Sequence, residues 1–312
     1  MKDYNDKSGL AYYWLEENMG RVLLVILFAC LGLWGLLLEG RDDLNLGQRL
    51  ARGMGPELAG IVISAVTINA LAERRQREEL KAQLIRQMGS RHNEIADAAV
   101  RELAHHGWLY DGSLNKAYLE GANLKGVDLE SAVLNRANLM RANLIGAQMS
   151  RACLNSVIFL NANLDEVRLN YAQMRSAVLD RADLGNATLT DADLSGADLV
   201  DANLKHCSLQ NTNLSGVDFR DVNLREANMR GTNLTGIKNW TIDQLGQAEA
   251  TKLSLTIMPD GIRLGHIIHD SAETQGRLTF NKWKSDYLAK YHGKETDLRD
   301  GQETSQSTDF EC

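Results

Sequence analysis

The sequence predicts a mainly β fold, a solenoid of short repeats, preceded by a hairpin of two transmembrane helices. A large apolar residue recurs at every fifth position from Leu114 to Leu234, a small residue lies two positions before each one, and two apolar segments precede the repeats. A period of five fits neither a helix, which repeats about every 3.6 residues, nor a flat strand, which repeats about every 2. A chain that turns after every fifth residue winds into stacked coils.

The repeat contains the residue types that a stacked coil requires. It runs through 25 consecutive positions, of which 20 are Leu, and the small residue is Ala in 16 cases. Alternation along an extended segment points both of these side chains inward and the polar residue between them outward. Gly occurs seven times at the second position after the large residue, where a corner with positive φ favours it. Burial of each Leu, worth about 1.5–3 kcal/mol, is expected to hold the coils together without metal or disulfide.

Triplets such as Ala-Asn-Leu at 122–124 and Ala-Asp-Leu at 192–194 resemble the A(D/N)LXX pattern of the pentapeptide-repeat family. The resemblance covers residues 112–236. It implies a right-handed quadrilateral β-helix with four pentapeptides in each coil, so that every fourth repeat lies on the same face. With strands stacked about 4.8 Å apart, the repeats would make about six coils and a rod about 30 Å long.

One of the four faces is predicted to bind a partner protein or a second copy of the chain. Its core positions include both Phe159 and Phe219, and its outward positions are rich in apolar residues. The candidate partner residues are Tyr118, Met140, Ile158, Leu160, Val178 and Val200. A contiguous exposed apolar patch indicates contact with another protein, whereas scattered apolar residues are ordinary on protein surfaces, and both interpretations stay open here.

Two segments before the repeats are predicted to span a lipid bilayer. Residues 22–38 contain no charge, and as a helix they would be about 26 Å long, close to the hydrocarbon core of about 30 Å. Residues 56–72 form a weaker apolar segment that begins at a proline, as helices often do, and an interfacial or soluble amphipathic helix is the alternative for it. The basic residues at 74–91 predict that the repeats face the cytoplasm, with a two-pass anchor in the cytoplasmic (inner) membrane.

The predicted organisation divides the chain into eight segments. They are an N-terminal cytoplasmic segment (1–20), a first transmembrane helix (21–38), a loop (39–55), a second transmembrane helix (56–72), a charged helical linker with an N-terminal cap (73–109), the repeat β-helix (110–240), a C-terminal cap with an amphipathic helix (241–292) and a disordered tail (293–312). Trp108 and Leu109 are expected to cover the open start of the rod.

The segment from Leu80 to Leu109 carries a second resemblance. It contains Gln-Leu-Ile-Arg-Gln-Met-Gly-Ser at 83–90 and ends in Gly-Trp-Leu at 107–109. This segment looks like the helical lead-in of bacterial membrane-anchored pentapeptide-repeat proteins. Its apolar stripe of Leu80, Leu84 and Met88 is expected to pack within the chain or against a second copy.

The sequence shows no pattern typical of an enzyme. It has no nucleophile–base pair, Gly-rich phosphate loop or metal-ligand cluster, so no catalytic residue, cofactor, metal or small-molecule substrate is predicted. His105 and His106 are adjacent but have no further ligands at metal spacing. The cysteines show no CxxC pairing and are predicted to be unpaired thiols of a reducing compartment. They are Cys30, Cys153, Cys207 and Cys312.

The net charge of the repeat segment disfavours two functions that involve DNA or a DNA-like surface. Residues 112–236 contain 14 acidic and 12 basic side chains, so the repeat segment is nearly neutral. Some soluble members of the pentapeptide-repeat family protect DNA topoisomerases with a strongly acidic rod that resembles DNA. The near-neutral rod predicted here would imitate such a polyanion poorly. No nucleic-acid partner is predicted either, because there is no basic stripe.

We therefore expect a non-enzymatic, membrane-anchored scaffold that presents a rigid rod for protein–protein interaction. Two alternatives stay open. One is a DNA-mimic type of topoisomerase-binding protein, and the other is a membrane effector or sensor in which the rod controls the hairpin.

Overall fold

The computed structural model describes residues 46–248, 253, 255–262 and 280–291. The chain divides into two compact units, Met1–Leu80 and Lys81–Cys312. Four helices are described, and they are α1 (Leu46–Met88), α2 (Asn93–His105), α3 (Ile242–Gly246) and α4 (Phe280–Tyr291). Between α2 and α3, the repeats pair through isolated parallel bridges, one in each pentapeptide.

Helix α1 begins ten residues earlier than the sequence predicted. The prediction placed a loop at 39–55 and a helix start at Pro56, whereas the helix starts at Leu46 and contains Pro56 in its interior. An interior proline removes one helical hydrogen bond, but Leu, Gln, Arg, Ala and Met, which dominate residues 46–54, are strong helix formers. The boundary at Pro56 was therefore wrong, because a proline only favours a helix start and does not enforce one.

Among the helices in the described ranges, none is both long enough and apolar enough to cross a membrane. The predicted second span at 56–72 is therefore not supported. Ser64, Thr67 and Asn69 interrupt its apolar character. The predicted first span at 21–38 lies outside the described residues, as do segments 1–20 and 293–312.

The start of the rod is covered by the end of α1 and by α2. Leu84 and Met88 are buried within the chain, which confirms packing inside one chain for these two, while Leu80 stays 38% exposed. Helix α1 ends at Met88, directly before Gly89 and Ser90.

Two backbone groups of the cap complete the first coil. The carbonyl oxygens of Ser90 and Leu109 accept hydrogen bonds from the N–H groups of Asn123 and Val133, each at 2.8 Å. Leu109 is buried, and so is the adjacent Trp108, so the prediction that these two cover the rod is confirmed. A repeat rod needs such a cover because its first coil has no coil beneath it.

The coils repeat every 20 residues, which confirms four pentapeptides in each coil. Asn123 pairs with Asn143, and Asn143 pairs with Asn163, and the same offset recurs along the rod in all four faces. All 25 large apolar residues of the repeat are fully buried. These residues belong to one continuous apolar core, as the repeat pattern predicted.

The corners follow the prediction as well. All the residues at the second position after the large one have positive φ, between 55° and 73°, and they comprise seven glycines and eighteen other residues. A left-handed conformation costs a non-glycine residue about 1–2 kcal/mol. Part of that cost is offset because corner N–H groups donate to the next coil, as Gly146 does to the carbonyl oxygen of Asp165 at 2.9 Å.

The polar residues between the small and large positions hold the corners that follow them. On one face of the rod, five such residues 20 positions apart each accept a hydrogen bond from the backbone N–H two residues later, and they are Asn143, Asn163, Asp183, Asn203 and Asn223. Some also bond to the neighbouring coil, as Asn223 does to Asn203 at 2.9 Å. Asn and Asp are suited to this position because a short side chain with an acceptor oxygen reaches the backbone of its own corner.

The end of the rod is closed by α3 and α4, which lie within the segment 241–292 that the sequence predicted to be a C-terminal cap with an amphipathic helix. Thr241 and Gln244 form a capping box at the start of α3. The side-chain amide of Gln244 donates to the carbonyl oxygen of Phe219 at 2.9 Å, which satisfies an edge group of the last coil. Trp283 of α4 is buried, and its ring centroid lies 6.2 Å from that of Trp240.

The cysteines only partly match the prediction. Cys207 is a free, buried thiol in a small-residue core position, where burial raises its pKa and its Sγ lies 2.8 Å from the carbonyl oxygen of Leu184. Cys153, in contrast, is disulfide-bonded, so the prediction of unpaired thiols was wrong for it. Spacing along the sequence reveals only local pairs such as CxxC, so it did not indicate this bond.

Substitution of Gly146 by Ala should lower the free energy of unfolding by about 1 kcal/mol. The added Cβ meets no atom within 4 Å, so the cost arises from the φ of +66° alone. Denaturant unfolding of the full chain measures it. Ser156→Ala is the matched control, because Ser156 already occupies a corner with φ of 56° as a non-glycine residue. Equal effects of the two substitutions would show that corner conformation does not limit stability.

Candidate interaction face of the rod

The fold brings the six predicted partner residues onto one side of the rod, which we call the apolar face (Tyr118, Met140, Ile158, Leu160, Val178 and Val200). Tyr118, Ile158 and Val178 belong to one column of bridges, in which Asn138 separates Tyr118 from Ile158. Met140, Leu160 and Val200 belong to the adjacent column at the start of the corner. With coils about 4.8 Å apart, the residues from Met140 to Val200 span about 15 Å along the rod.

The apolar face is less exposed than its outward positions suggested. Tyr118 is 70% exposed, but the other five residues are half-buried. The reason is the close stacking of coils, because each side chain is covered on two sides by the residues 20 positions before and after it. The face therefore offers a shallow row of partly covered aliphatic side chains rather than protruding ones.

A layer of fully buried core residues lies directly behind this face. Phe159 and Phe219, the two phenylalanines predicted for it, are both fully buried, and Leu139, Leu179 and Leu199 fill the other layers. The backbone of the face is bonded on both sides. For example, the Ile158 N–H donates to the Ala137 carbonyl of the preceding coil at 3.0 Å, and the Phe159 N–H donates to the Val178 carbonyl of the following coil at 2.7 Å. A partner would therefore meet a surface that loses little conformational entropy on binding.

Tyr118 forms a separate polar group at the start of the face. Its hydroxyl donates a 2.5 Å hydrogen bond to Glu120, and Arg141 lies 3.5 Å from the other oxygen of that carboxylate. The hydrogen bond to Glu120, together with the charge of Glu120, raises the pKa of Tyr118. Tyr118 is thus held in place by polar contacts and separated from the aliphatic residues by Asn138, so the aliphatic group is Met140, Ile158, Leu160, Val178 and Val200.

Charged pairs border the aliphatic group. Arg181 lies 3.4 Å from Asp201, and Arg220 lies 3.2 Å from Asp218. Both arginines are more than half exposed, and surface ion pairs of this kind contribute at most about 1 kcal/mol to stability. They act mainly as a polar rim, which is the usual surround of an apolar contact patch.

Asp180 is a residue of this face that the sequence analysis missed. It lies in the same column as Leu160 and Val200, one coil from each, and its Oδ1 atom is buried without a hydrogen-bond partner in the described part of the chain. The closest charge is Arg181 Nε at 3.8 Å, which is beyond hydrogen-bond distance. A buried acceptor left without a donor costs about 1–3 kcal/mol. A single Asp in a repeat that uses Asp throughout gave no signal, because only the coil stacking shows that its oxygen is covered.

The Asn side chains along one corner of the rod are engaged in hydrogen bonds to the backbone. A shallow groove of about 340 Å³ follows one corner past Asn115, Asn135 and Asn155. The Oδ1 atoms of Asn135 and Asn155 accept hydrogen bonds from the backbone N–H groups of Asn155 and Arg175. Side chains that are engaged in this way hold the coils together and are poorly placed to bind or transform a small molecule.

The family model described as Pentapeptide repeats matches residues 122–159, 158–196 and 197–236. A comparison with curated protein sequences finds no match.

Several solved structures are similar to the chain. HetL, a pentapeptide repeat protein involved in heterocyst differentiation regulation from the cyanobacterium Nostoc sp. strain PCC 7120, is 30% identical over 48% of this chain and 75% of HetL, with a TM-score of 0.34. A pentapeptide repeat protein from the Arabidopsis thaliana thylakoid lumen is 20% identical over 39% of this chain and 71% of its own, with a TM-score of 0.30. QnrB1, a plasmid-mediated fluoroquinolone resistance protein, is 17% identical over 58% of this chain and 84% of its own, with a TM-score of 0.27.

Replacement of Asp180 by Leu should raise the free energy of unfolding by about 1 kcal/mol, because it removes an acceptor that has no donor and extends the aliphatic column. Denaturant unfolding of the full chain measures this. The matched control is Asp218→Leu on the same face, which should destabilise, since Asp218 accepts hydrogen bonds from the Arg220 N–H and from Asn239. A loss of stability in Asp180→Leu as large as in the control would contradict the assignment of Asp180 as unsatisfied.

Proposed function

Because the chain belongs to the pentapeptide-repeat family, we propose that it is a non-enzymatic scaffold whose rod binds another protein through the apolar face. One observation carries this proposal. The aliphatic group lies on a layer of fully buried core residues, and its members are Met140, Ile158, Leu160, Val178 and Val200. The stacking of coils does not require aliphatic side chains at outward positions, since most of the other outward positions hold polar residues. The clustering of the aliphatic residues on a single face therefore favours a role in contact with a partner.

The size of the face determines the kind of contact. Five aliphatic residues over about 15 Å make a patch within the range of ordinary monomer surfaces, and a stable interface buries about 800 Å² on each partner. A partner that bound only the aliphatic group would therefore bind weakly. A specific partner would also use the charged rim around the aliphatic group.

The engagement of polar groups supports a scaffold rather than an enzyme. The Asn and Asp side chains of the repeats accept hydrogen bonds from corner N–H groups, so their abundance reflects the fold. The near-neutral charge of residues 112–236 disfavours mimicry of DNA, which would require a strongly acidic surface.

We further propose that residues 21–38 attach the chain to the cytoplasmic membrane. The support is the sequence alone, since 17 uncharged residues lie between Arg21 and Glu39. The basic residues at 74–91 favour a cytoplasmic position for the rod, whereas the disulfide of Cys153 would favour an oxidising compartment. Residues 56–72 are not included as a second span.

The partner can be tested with a photo-crosslinking amino acid at Glu120, beside the face, in full-length protein in intact cells, followed by mass spectrometry. We expect one recurrent protein to be captured, and its capture to be lost in Leu160→Asp/Val200→Asp, because two charges on the aliphatic group oppose desolvation. The fold should persist, since both residues are half-buried surface positions.

The matched control for that experiment is Thr188→Asp/Ser208→Asp, which places the same charges on the opposite face of the rod. Capture that survives the charges at 160 and 200, or that is lost equally in the control, would contradict the proposed face. Crosslinks only between copies of this chain would show that the face is a homodimer contact instead.

Membrane attachment is tested by alkaline extraction of cell membranes. The full chain should remain in the pellet, and Ile26→Asp/Leu33→Asp should be released, because each charge at the centre of a span costs about 2.5–3.5 kcal/mol. Ile61→Asp/Ile68→Asp is the control, since both of these α1 side chains are 64% exposed, and it should stay in the pellet. Release of the unaltered chain, or release of the control alone, would contradict attachment through 21–38.

A further inference from the structure

Three side chains of the kinds that bind transition metals converge where α2 ends. Glu102, His105 and His106 offer ligand atoms that all lie within 4.8 Å of one another. We propose that they form a binding site for a divalent transition metal of the Zn²⁺ class. This site is independent of the apolar face and of membrane attachment.

The spacing of the three residues follows from the helix. Positions i, i+3 and i+4 lie on the same side of an α-helix, so Glu102 is one turn before both histidines. The adjacent histidines alone did not predict a site, because a pair of neighbours lacks the third ligand that most protein metal sites have. The sequence analysis missed Glu102 since it considered the His pair without its position at the end of a helix.

The distances are close to those of a metal-bound set. Glu102 Oε1 and His106 Nε2 are 3.2 Å apart. Ligands that lie about 2.0–2.2 Å from a tetrahedral Zn²⁺ are separated from one another by about 3.4 Å, so this pair needs little movement to share an ion. His105 is exposed, and its ring centroid is 5.3 Å from that of His106, so a side-chain rotation can bring it to the same ion.

The backbone under the ligands is held firmly. His106 is the C-cap of α2, and Gly107 follows with φ of 73°. The N–H of Gly107 donates to Ala104, and the N–H of Trp108 donates to Leu103, each at 2.9 Å, which is the hydrogen-bond pattern of a Schellman motif. The His106 ring also stacks on Trp108, with centroids 4.4 Å apart, and Trp108 is buried in the cap of the rod. Because these contacts already hold the His106 side chain in place, metal binding loses less conformational entropy.

The local charges also favour a cation. The end of a helix carries partial negative charge from its last carbonyl groups, and Glu102 adds a full negative charge. The nearest basic side chain on α2, Arg101, forms a 2.7 Å ion pair with Asp97. Lys81 lies over the Trp108 ring, with its Nζ 5.3 Å from the centroid. Two imidazoles and one carboxylate suit Zn²⁺, Ni²⁺ or Cu²⁺ and leave at least one coordination position for water.

Titration calorimetry with Zn²⁺ alone, on the full chain without a histidine tag, tests the site. One Zn²⁺ per chain is expected to bind. His105→Ala and Glu102→Gln should each weaken binding by at least about tenfold, because each removes one of three ligands. The matched control is His92→Ala, which removes an exposed histidine at the other end of α2 and should leave binding unchanged.

A thermal scan separates metal binding from a folding defect. Without metal, His105→Ala should unfold at the same temperature as the unaltered chain, since its side chain is exposed. With Zn²⁺ in excess, only the unaltered chain and the His92→Ala control should gain stability, because a ligand that binds the folded state raises its stability. Absence of Zn²⁺ binding by the unaltered chain, or equal binding by the ligand variants, would overturn the proposal.

Discussion

The contact between one coil and the next is the interaction on which the rest of the structure depends. A single pentapeptide is too short to bury its own Leu or to pair its own backbone. Stacking at an offset of 20 residues solves both problems at once. The large residues fill one central column, each bridge residue bonds to the preceding coil, and the residues on either side of it bond to the following coil. The hydrogen bonds from the corner N–H groups to the next coil depend on this offset, and so do the side-chain hydrogen bonds between Asn residues 20 positions apart.

A structure that depends on stacking must be closed at both ends. The two ends are closed by different means, which reflect the different groups that each end exposes. At the start, carbonyl oxygens of Ser90 and Leu109 receive N–H groups of the first coil, and Trp108 covers the core. At the other end, Gln244 donates to the carbonyl oxygen of Phe219, and Trp283 is buried in the same apolar core as the Leu layers. The caps thus supply the hydrogen bonds and apolar contacts that a further coil would have supplied.

The same stacking explains why functional residues are hard to recognise in this rod. Asn and Asp side chains, which elsewhere indicate binding or catalysis, here accept hydrogen bonds from the corners. What remains available for function is the set of outward positions that the stack does not use. The aliphatic group around Leu160 is unusual for that reason, and so is Asp180, whose oxygen lacks the donor that most rod carboxamides and carboxylates have.

The sequence by itself determined the solenoid, because the five-residue period, the Leu column and the glycine corners are all local features that repeat. Together with the four repeats per coil that the resemblance to the pentapeptide-repeat family implied, it also predicted which face contains Ile158, Leu160 and Val200. Local signals were weaker where the pattern ends. A proline at 56 favoured a helix start, yet α1 begins at Leu46, because propensities of neighbouring residues decide how far a helix extends.

Only the tertiary structure decided what depends on residues distant in the chain. Side chains 20 positions apart cover one another, so the aliphatic group is half-buried, and the oxygen of Asp180 is enclosed without a donor. The disulfide of Cys153 and the convergence of Glu102 with His105 and His106 near Trp108 are likewise matters of position in space. The physical reason is that a repeat encodes its own contacts with adjacent coils, whereas burial, unsatisfied groups and side-chain clusters depend on the sum of all neighbours.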